Sequence, residues 1–467
     1  MLRVFRQYIP VPFLALAVIE FLFSMSSVYL AVGLHELVTG RSIGSSFYPL
    51  WPKALLVGGV VFLSLVSTGL YQRWFRFALA GMIVRVGMAL AVAALTLVVV
   101  SYFLPNLHMG RGVFAVSLLL TAAMVLAARA VFVRVLDRDM FKRRLLVLGA
   151  GETAAMVSRT LRRKTDQQGF VLVGYVHVVG EHDVVDEEKI IRTEGTLLAE
   201  AKDRHVDEIV VAVGERRGKN FPVHDLLDCK LSGIDVVDLL GFFERETGKI
   251  KLDILTPSGM IFSDGFNQAG KRLTSKRIFD VTVSLLLLSI SWPVMLLVAG
   301  AIFIESGGRG SILYRQIRVG QYWKLFSVYK FRSMREDAEK GGEVQWAKKN
   351  DDRVTRVGRF LRVTRLDELP QIFNVLKGDM SFVGPRPERP EFVTQLSERI
   401  PFYAERHYVK PGITGWAQIC YPYGASEKDS LEKLQYDLYY IKNYSLFLDL
   451  VIIFQTAHAV LWGRGGR

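Results

Sequence analysis

Cysteine is nearly missing: Cys229 and Cys420 are the two in 467 residues, far apart and without metal-ligand spacing. That excludes a disulfide framework and a cysteine-based zinc site, and it suits soluble parts that face a reducing cytosol. Negative charge is also scarce. Against 59 lysines and arginines stand 45 acids, a net charge of +14, which favours anionic headgroups and polyanionic substrates as partners. Charge alone admits nucleic acid as well. Only 22% of residues are charged, and mean hydropathy is +0.26, a balance expected of membrane segments joined to soluble parts. The length exceeds one ordinary core, so two or three domains are expected.

Long apolar runs are what the chain has in plenty. Residues 11–34, 50–70, 78–104 and 113–136 can each cross a hydrocarbon core of ~30 Å, which takes about 20 helical residues. The start, MLRVFRQYIP, resembles the basic region of a signal peptide. The apolar run after it is long and lacks a small-residue cleavage site, so a retained first helix is predicted. Basic residues set the orientation: Arg3 and Arg6, then Arg73 and Arg76, then Lys142, Arg143 and Arg144 mark three cytoplasmic positions. Glu20 falls mid-span, where a carboxylate needs neutralising or a partner, so a polar contact inside the bundle is predicted.

Residues 142–249 carry, from Arg143, RRLLVLGAGETAAMVSRTLRR, an apolar strand, a glycine turn and a helix. Gly149 and Gly151 fit the first two glycines of a dinucleotide fingerprint, and Ala154 fits the helix-packing position. Further strands at 170–176 and 208–213, with a helix at 196–203 between them, predict a parallel sheet. What this domain lacks is equally informative. Tyr175-Val176-His177 stands where an acid should end the second strand and hold a ribose, and no Tyr-x-x-x-Lys pair occurs. A Rossmann-like fold with a regulatory or assembly role is the better reading.

A linker at 250–272 has connector composition, with Pro257, Gly259, Gly265 and Gly270 in or near it. The last domain, 273–467, begins with an apolar stretch at 278–304 that is basic on both flanks. Lys271, Arg272, Lys276 and Arg277 precede it; Arg309, Arg315, Arg318, Lys324, Lys330, Arg332 and Arg335 follow. Both ends then prefer the cytoplasm, which predicts a re-entrant hairpin. Pro293 is the expected break, with arms of roughly 21 and 18 Å, neither able to span. Ser289 and Ser291 are expected to satisfy freed backbone groups there, and Asp280 to cap the first arm. The apolar segment near 445–462, carrying Asp449 and His458, is predicted to lie in the interface.

Asp367 and Glu368 sit side by side among cations, in chain next to this membrane segment. Acid chemistry on a phosphorylated substrate at a bilayer surface follows. An isolated Asp-Glu pair is usually a solvated helix end. Six ordered motifs change that: KRIFD (276–280), KFRSM (330–334), LDELPQ (366–371), NVLKGDMSFVGPRP (374–387), KPGITGWAQ (410–418) and DLYYIKNYSLFLDL (437–450). With them the chain resembles the bacterial sugar transferases, polyprenyl-phosphate glycosyl-1-phosphate transferases, in their large form. The expected fold class is a multi-domain membrane protein. It has a four-helix transmembrane bundle (1–141), an α/β Rossmann-like domain, and a mainly α monotopic catalytic domain with a re-entrant hairpin.

The resemblance implies that Asp367 attacks the β-phosphorus of a UDP-sugar, releases UMP, and holds a phosphosugar until undecaprenyl phosphate accepts it, initiating an exopolysaccharide, O-antigen or capsule repeat. A carboxylate can form such an acyl phosphate if repulsion between anions is neutralised. Mg²⁺ suits Asp367 and Glu368 as ligands together with substrate phosphates; Glu368 as a base towards the acceptor is the alternative. Arg386, between Pro385 and Pro387 that restrict the backbone, is assigned to phosphate binding. Arg332 and Arg365 are candidates for the diphosphate, and the resemblance marks Asp437 as an active-site acid. Gly412 and Gly415 are expected to shape a turn, with Trp416 either at the interface or in the core. Membrane lipids and a second copy of the chain are the other expected partners; nucleic acid is not. The expected location is the bacterial inner membrane with the catalytic domain on the cytoplasmic face. A nucleotide-sugar dehydratase or epimerase, needing a complete glycine-acid fingerprint, and a non-enzymatic scaffold are the rivals.

Overall fold

The computed structural model describes residues 2–4, 7–9, 11–40, 49–71, 79–136, 142–161, 169–193, 195–214, 221–263, 265–266, 270–335, 353–421, 424 and 426–461. Arg6, Arg73 and Arg76 lie outside them. The chain divides into two compact units. One holds Val11–Leu63 and Tyr71–Lys251; the other holds Met1–Pro10, Ser64–Leu70 and Leu252–Arg467.

A short antiparallel pair, β1 (Leu2–Val4) and β2 (Gln7–Ile9), precedes four apolar helices. These are α1 (Val11–Thr39), α2 (Trp51–Ser67), α3 (Leu79–Phe103) and α4 (Arg111–Leu136). Among the described residues, four helices are long and apolar enough to cross a membrane: Pro12–Thr39, Gly81–Phe103, Arg111–Phe132 and Arg272–Glu305. Three fall in the predicted stretches. The second stretch forms only the 17-residue α2, about 25 Å long, and ranks with the shorter apolar helices. Glu20 has the polar contact its position demands. Arg129 of α4 grips it with Nε 2.7 Å from Oε1 and Nη2 2.8 Å from Oε2, and the Tyr71 hydroxyl donates to it as well. Ser27 and Thr121 add a 2.8 Å bond between α1 and α4.

The α/β part alternates as predicted: β3 (Arg143–Leu148), α5 (Glu152–Thr160), β4 (Phe170–Val176), β5 (Ile190–Ile191), α6 (Leu197–Asp203), β6 (Glu208–Val211), α7 (Val223–Leu231), β7 (Asp235–Asp238) and α8 (Leu239–Thr247). All pairings are parallel, in the order β5-β4-β3-β6-β7. The central strand β3 buries Leu145, Leu146, Val147 and Leu148, the continuous apolar run of a strand covered on both faces. Gly149 has φ +113°, and a Cβ there would stand 3.0 Å from the Ala212 carbonyl oxygen. At Gly151 a Cβ would meet Glu181, whose carboxylate accepts from the backbone of Ala150 (3.2 Å) and Gly214 (3.4 Å). The chain's own acid occupies the turn where a dinucleotide fingerprint would hold pyrophosphate.

The other unit starts earlier than the composition indicates. The expected linker contains α9 (Pro257–Phe262) and the first residues of α10 (Gly270–Glu305). After α10 come β8 (Leu313–Val319), β9 (Leu325–Phe331), α11 (Arg356–Thr364), α12 (Gln371–Lys377), β10 (Ser381–Val383), α13 (Pro390–Arg399), β11 (Gly412–Thr414), α14 (Trp416–Cys420), α15 (Glu427–Asn443) and α16 (Leu446–Leu461).

Helix α10 corrects the expected break. It runs uninterrupted for 36 residues with Pro293 inside it. Unpaired backbone is costly among apolar surroundings, so losing the one N–H that proline lacks is cheaper than unwinding a turn. The two serines do not serve the expected purpose: Ser289 Oγ donates to the Leu286 carbonyl, and Ser291 Oγ lies 3.9 Å from Met295 Sδ. Nor does Asp280 cap an arm. It sits inside α10, buried, and accepts from Ser381 Oγ (2.9 Å) and the Phe382 amide (3.1 Å). Both ends of α10 are fastened to the same unit. Near the start, Arg277 donates to the carbonyls of Val375 and Leu376, each at 2.6 Å, and Lys276 pairs with Asp449 of α16 at 2.8 Å. Near the end, Val298 and Ile302 pack in a cluster with Phe331 and Leu361, and Glu305 accepts from the Val357 amide at 3.0 Å. Between these anchors Leu286, Ile290, Trp292, Leu296 and Leu297 are all more than half exposed.

Candidate active site

Helix α11 ends at Arg365, whose φ of +60° is rare for a side-chain-bearing residue and reverses the chain. A single 3₁₀ turn, Leu366–Glu368, follows. With three residues per turn, neighbours point about 120° apart, so the two acids part company. Asp367 turns inward, 8% exposed, and its Oδ1 is buried with no hydrogen-bond partner. Burial pushes its pKa up, against the pull of Lys330. Glu368 turns into cations: Lys330 Nζ at 3.0 Å, Arg365 Nη1 at 3.7 Å and Arg386 Nη2 at 3.7 Å, all measured to Oε1. Burial opposes its charge, but these three outweigh it and hold its pKa at about 2.

Each cation is placed by a backbone device. Lys330 lies on β9, which pairs antiparallel with β8. Asn374 of α12 pins that strand, donating to the Ser327 carbonyl (2.7 Å) and accepting from the Tyr329 amide (3.0 Å). Arg386 follows a crossing of two backbones at the parallel pair β10–β11. A Cβ on Gly384 would stand 2.3 Å from the Lys410 carbonyl oxygen, one on Gly412 2.1 Å from the Gly384 nitrogen, and one on Gly415 2.3 Å from the Gly384 oxygen. Gly412 and Gly415 are thus present for close approach rather than to shape a turn. Pro385 contributes its carbonyl, which accepts from the Gly412 amide at 2.9 Å.

Asp437 is not among the groups around the pair. It is 2% exposed on α15 and bound to Arg406 Nη2 at 2.9 Å. Arg406, buried too, donates to the Tyr403 hydroxyl (2.7 Å) and to the Arg386 carbonyl (2.9 Å). Asp437 therefore acts on Arg386 through Arg406. Arg332 donates from Nη2 to the Arg309 carbonyl oxygen at 3.3 Å. Trp416 is packed in the core, 1% exposed and stacked on Tyr439. Sequence reasoning counted Lys330 only as a flanking charge and passed over Arg406. The lysine opens the KFRSM segment, which was the available signal; nothing local marks the arginine.

The family model described as bacterial sugar transferase matches residues 271–463, and one described as CoA-binding domain matches 66–221. A UDP-glucose:undecaprenyl-phosphate glucose-1-phosphate transferase of Caulobacter vibrioides is 44% identical over 40% of this chain and 69% of its own length. The chain belongs to the bacterial sugar transferase family. Two further relatives of that family are similar over longer stretches. One is a UDP-N-acetylgalactosamine-undecaprenyl-phosphate N-acetylgalactosaminephosphotransferase of Aeromonas hydrophila, 44% identical over 52% of this chain. The other is a UDP-glucose:undecaprenyl-phosphate glucose-1-phosphate transferase of Xanthomonas campestris pv. campestris, 34% identical over 68%. The chain spans 56% and 66% of their respective lengths, less than two thirds. The sugar transferase match covers the Asp367–Glu368 turn, the cations around it and α10.

Proposed function

We propose that this chain is a polyprenyl-phosphate hexose-1-phosphate transferase, moving a sugar-1-phosphate from a UDP-sugar to undecaprenyl phosphate and releasing UMP. The observation that carries this reading is the divided pair: an inward carboxylate with an unbonded oxygen beside one carboxylate on which three cations converge. Desolvation and the missing hydrogen bond make Asp367 a stronger nucleophile. Its oxygen attacks the β-phosphorus, the bond to the bridging oxygen breaks, and UMP leaves with that oxygen. An oxygen of the lipid phosphate then attacks the same phosphorus and frees the Asp367 carboxylate, leaving a polyprenyl diphosphate sugar. Lys330, Arg365 and Arg386 neutralise the phosphates during both steps. A carboxyl held at about 2 is a poor proton acceptor at neutral pH, which speaks against Glu368 as a base.

Magnesium fits only in company with substrate. Among the described residues no three His, Cys, Asp or Glu side chains gather to hold a metal, whereas Mg²⁺ takes one or two carboxylates together with phosphate oxygens. Asp367 Oδ1 and Glu368 are the residues that would hold it, and the ion would supply charge neutralisation on the diphosphate. The proposed setting is the cytoplasmic face of the bacterial inner membrane, at the initiating step of exopolysaccharide, O-antigen or capsule synthesis. A helix that enters and leaves the bilayer on one side must return to the body it left, and the fastening of both ends of α10 to one unit supports that path.

The test incubates purified protein and Mg²⁺ with undecaprenyl phosphate and a panel of UDP-sugars, measuring UMP. Transfer from at least one donor, abolished by Asp367→Asn, is expected. No UMP from any donor, or undiminished turnover by the variant, refutes the reading. In a background without Cys229 and Cys420, Arg315→Cys labelled only from outside the cell refutes the re-entrant path.

A further inference from the structure

Strand β10 carries the chain towards Arg386, and its outer edge is held by a side chain of the long apolar helix. Ser381 and Val383 pair with Gly412 and Thr414 of β11. Phe382 lies between them, so its amide points the other way, to an edge where no further strand stands among the described residues. Asp280 of α10 fills that place. Its Oδ1 accepts from the Phe382 amide at 3.1 Å and from the Ser381 hydroxyl at 2.9 Å. The contact is shut off from water, with Asp280 2% exposed and Ser381 fully buried. Tyr440 of α15 brings its hydroxyl to 3.0 Å from the Val383 carbonyl oxygen, and Lys276, one turn before Asp280 on α10, reaches that hydroxyl at 3.1 Å.

We infer that Asp280 is a positioning residue for Arg386. Two paired residues on each strand are too little sheet to fix β10 alone, and a buried edge amide needs an acceptor. An ionised acceptor makes the stronger kind of hydrogen bond, and here one oxygen takes two donors. From Phe382 onwards the chain has no slack. Val383 is paired with Thr414. Gly384 donates to the Thr414 carbonyl at 2.9 Å and leaves no room for a Cβ, which would stand 2.3 Å from the Lys410 carbonyl oxygen. The ring of Pro385 fixes φ. A shift at Phe382 is therefore passed on to Arg386, whose Nη2 stands 3.7 Å from Glu368 Oε1.

The inference rests on the proposed transfer, in which Arg386 neutralises substrate phosphate. Displacing a group that acts on the reacting atoms by about 1 Å can cost on the order of a hundredfold in rate. Asp280, buried behind β10, acts on the phosphates through that strand alone. A carboxylate that only stabilised the fold would lower activity whether or not Arg386 were present. One that places Arg386 has nothing left to place once that side chain is gone.

The experiment is a double-mutant cycle on the full-length protein in detergent, with Asp280→Ala, Arg386→Gln and the two combined. It reads UMP release and, separately, UDP affinity by titration calorimetry. Asp280→Ala should lower UMP release by roughly tenfold or more and UDP affinity by about fivefold. Asp280→Asn, which keeps an accepting oxygen, should stay within about threefold of wild type in both. The double variant should lie within about twofold of Arg386→Gln alone in both readouts. Losses that multiply, or an Asp280→Ala protein equal to wild type, overturn the inference. Should Asp280→Ala fail to fold, Ser381→Ala removes one of the two donors and replaces it in the cycle, with a loss of about fivefold and the same required coupling. A wild type that binds UDP yet releases no UMP from any UDP-sugar sinks the transfer reading, and the cycle in UDP affinity then decides the positioning by itself. A wild type that does neither overturns both.

Discussion

Replacing Lys330 by methionine probes the charge balance at the acidic turn directly. The three cations stand 3.0, 3.7 and 3.7 Å from Glu368 Oε1. With an effective dielectric constant of about 20, their separate attractions are ~5.5, ~4.5 and ~4.5 kcal/mol, so Lys330 supplies a little over one third of the pull. Removing it withdraws an amount worth up to ~4 pKa units, of which relaxation and entering water return part. Glu368 should rise from about 2 to roughly the ordinary glutamate value or above. Asp367, already raised by burial, loses Lys330 as well and moves the same way. The sign is fixed: in the wild type, Glu368's stabilising contribution is present above its unfolded pKa and lost as pH falls through about 2. Activity that needs both acids ionised should therefore fail at higher pH in the variant. The assay is the pH dependence of UMP release, with Lys330→Arg as the charge-preserving control. We expect the acid limb of Lys330→Met to lie at least ~1 pH unit above wild type. Coincident limbs would refute the view that Lys330 sets the ionisation of the pair.

Asp367→Asn should stabilise the protein while ending transfer. Its folded pKa is raised, so the charged form penalises the fold above the ordinary aspartate value, and a thermal midpoint roughly 2–4 °C higher at pH 7 is expected; a lower midpoint contradicts this. Gly384→Ala should cost ~1–3 kcal/mol and reduce UMP release more than about tenfold, because the new Cβ meets a backbone carbonyl that cannot step aside. Full activity in that variant would show that the crossing does not place Arg386. Arg129→Leu leaves Glu20 buried without its cation, the Tyr71 hydroxyl still donating to it, and should cost ~3–5 kcal/mol in detergent stability. Glu20→Leu with Arg129→Leu should recover most of it, and a double variant no more stable than the single one refutes the pairing.

Local signals carried much of the fold. The β3–glycine–α5 unit, the following strands and the apolar helices are written in short-range periodicity and turn residues, which one sequence displays. So were Asp367, Glu368, Arg365 and Arg386, because their motifs are contiguous. What the sequence did not disclose lies in contacts between distant positions. Glu20 demanded a partner, but Arg129 is 109 residues away. Lys330 looked like a membrane-flanking charge until a fold brought it to Glu368 across 38 residues. Asp437 was legible as important, but its link to Arg386 was not, since only the three-dimensional path shows Arg406 standing between them. At Pro293 a local rule was followed too literally: proline forbids one hydrogen bond, and the rest of α10 is long enough to absorb its loss.

Glu181 gives the glycine turn of the α/β domain a resident competitor. Its carboxylate is part of the chain, so a free anion arriving at the Ala150 and Gly214 amides faces a tethered rival at an effective concentration of roughly millimolar or more. Any phosphate compound that gains entry has to displace that tether, so contacts elsewhere on the domain add directly to its hold there.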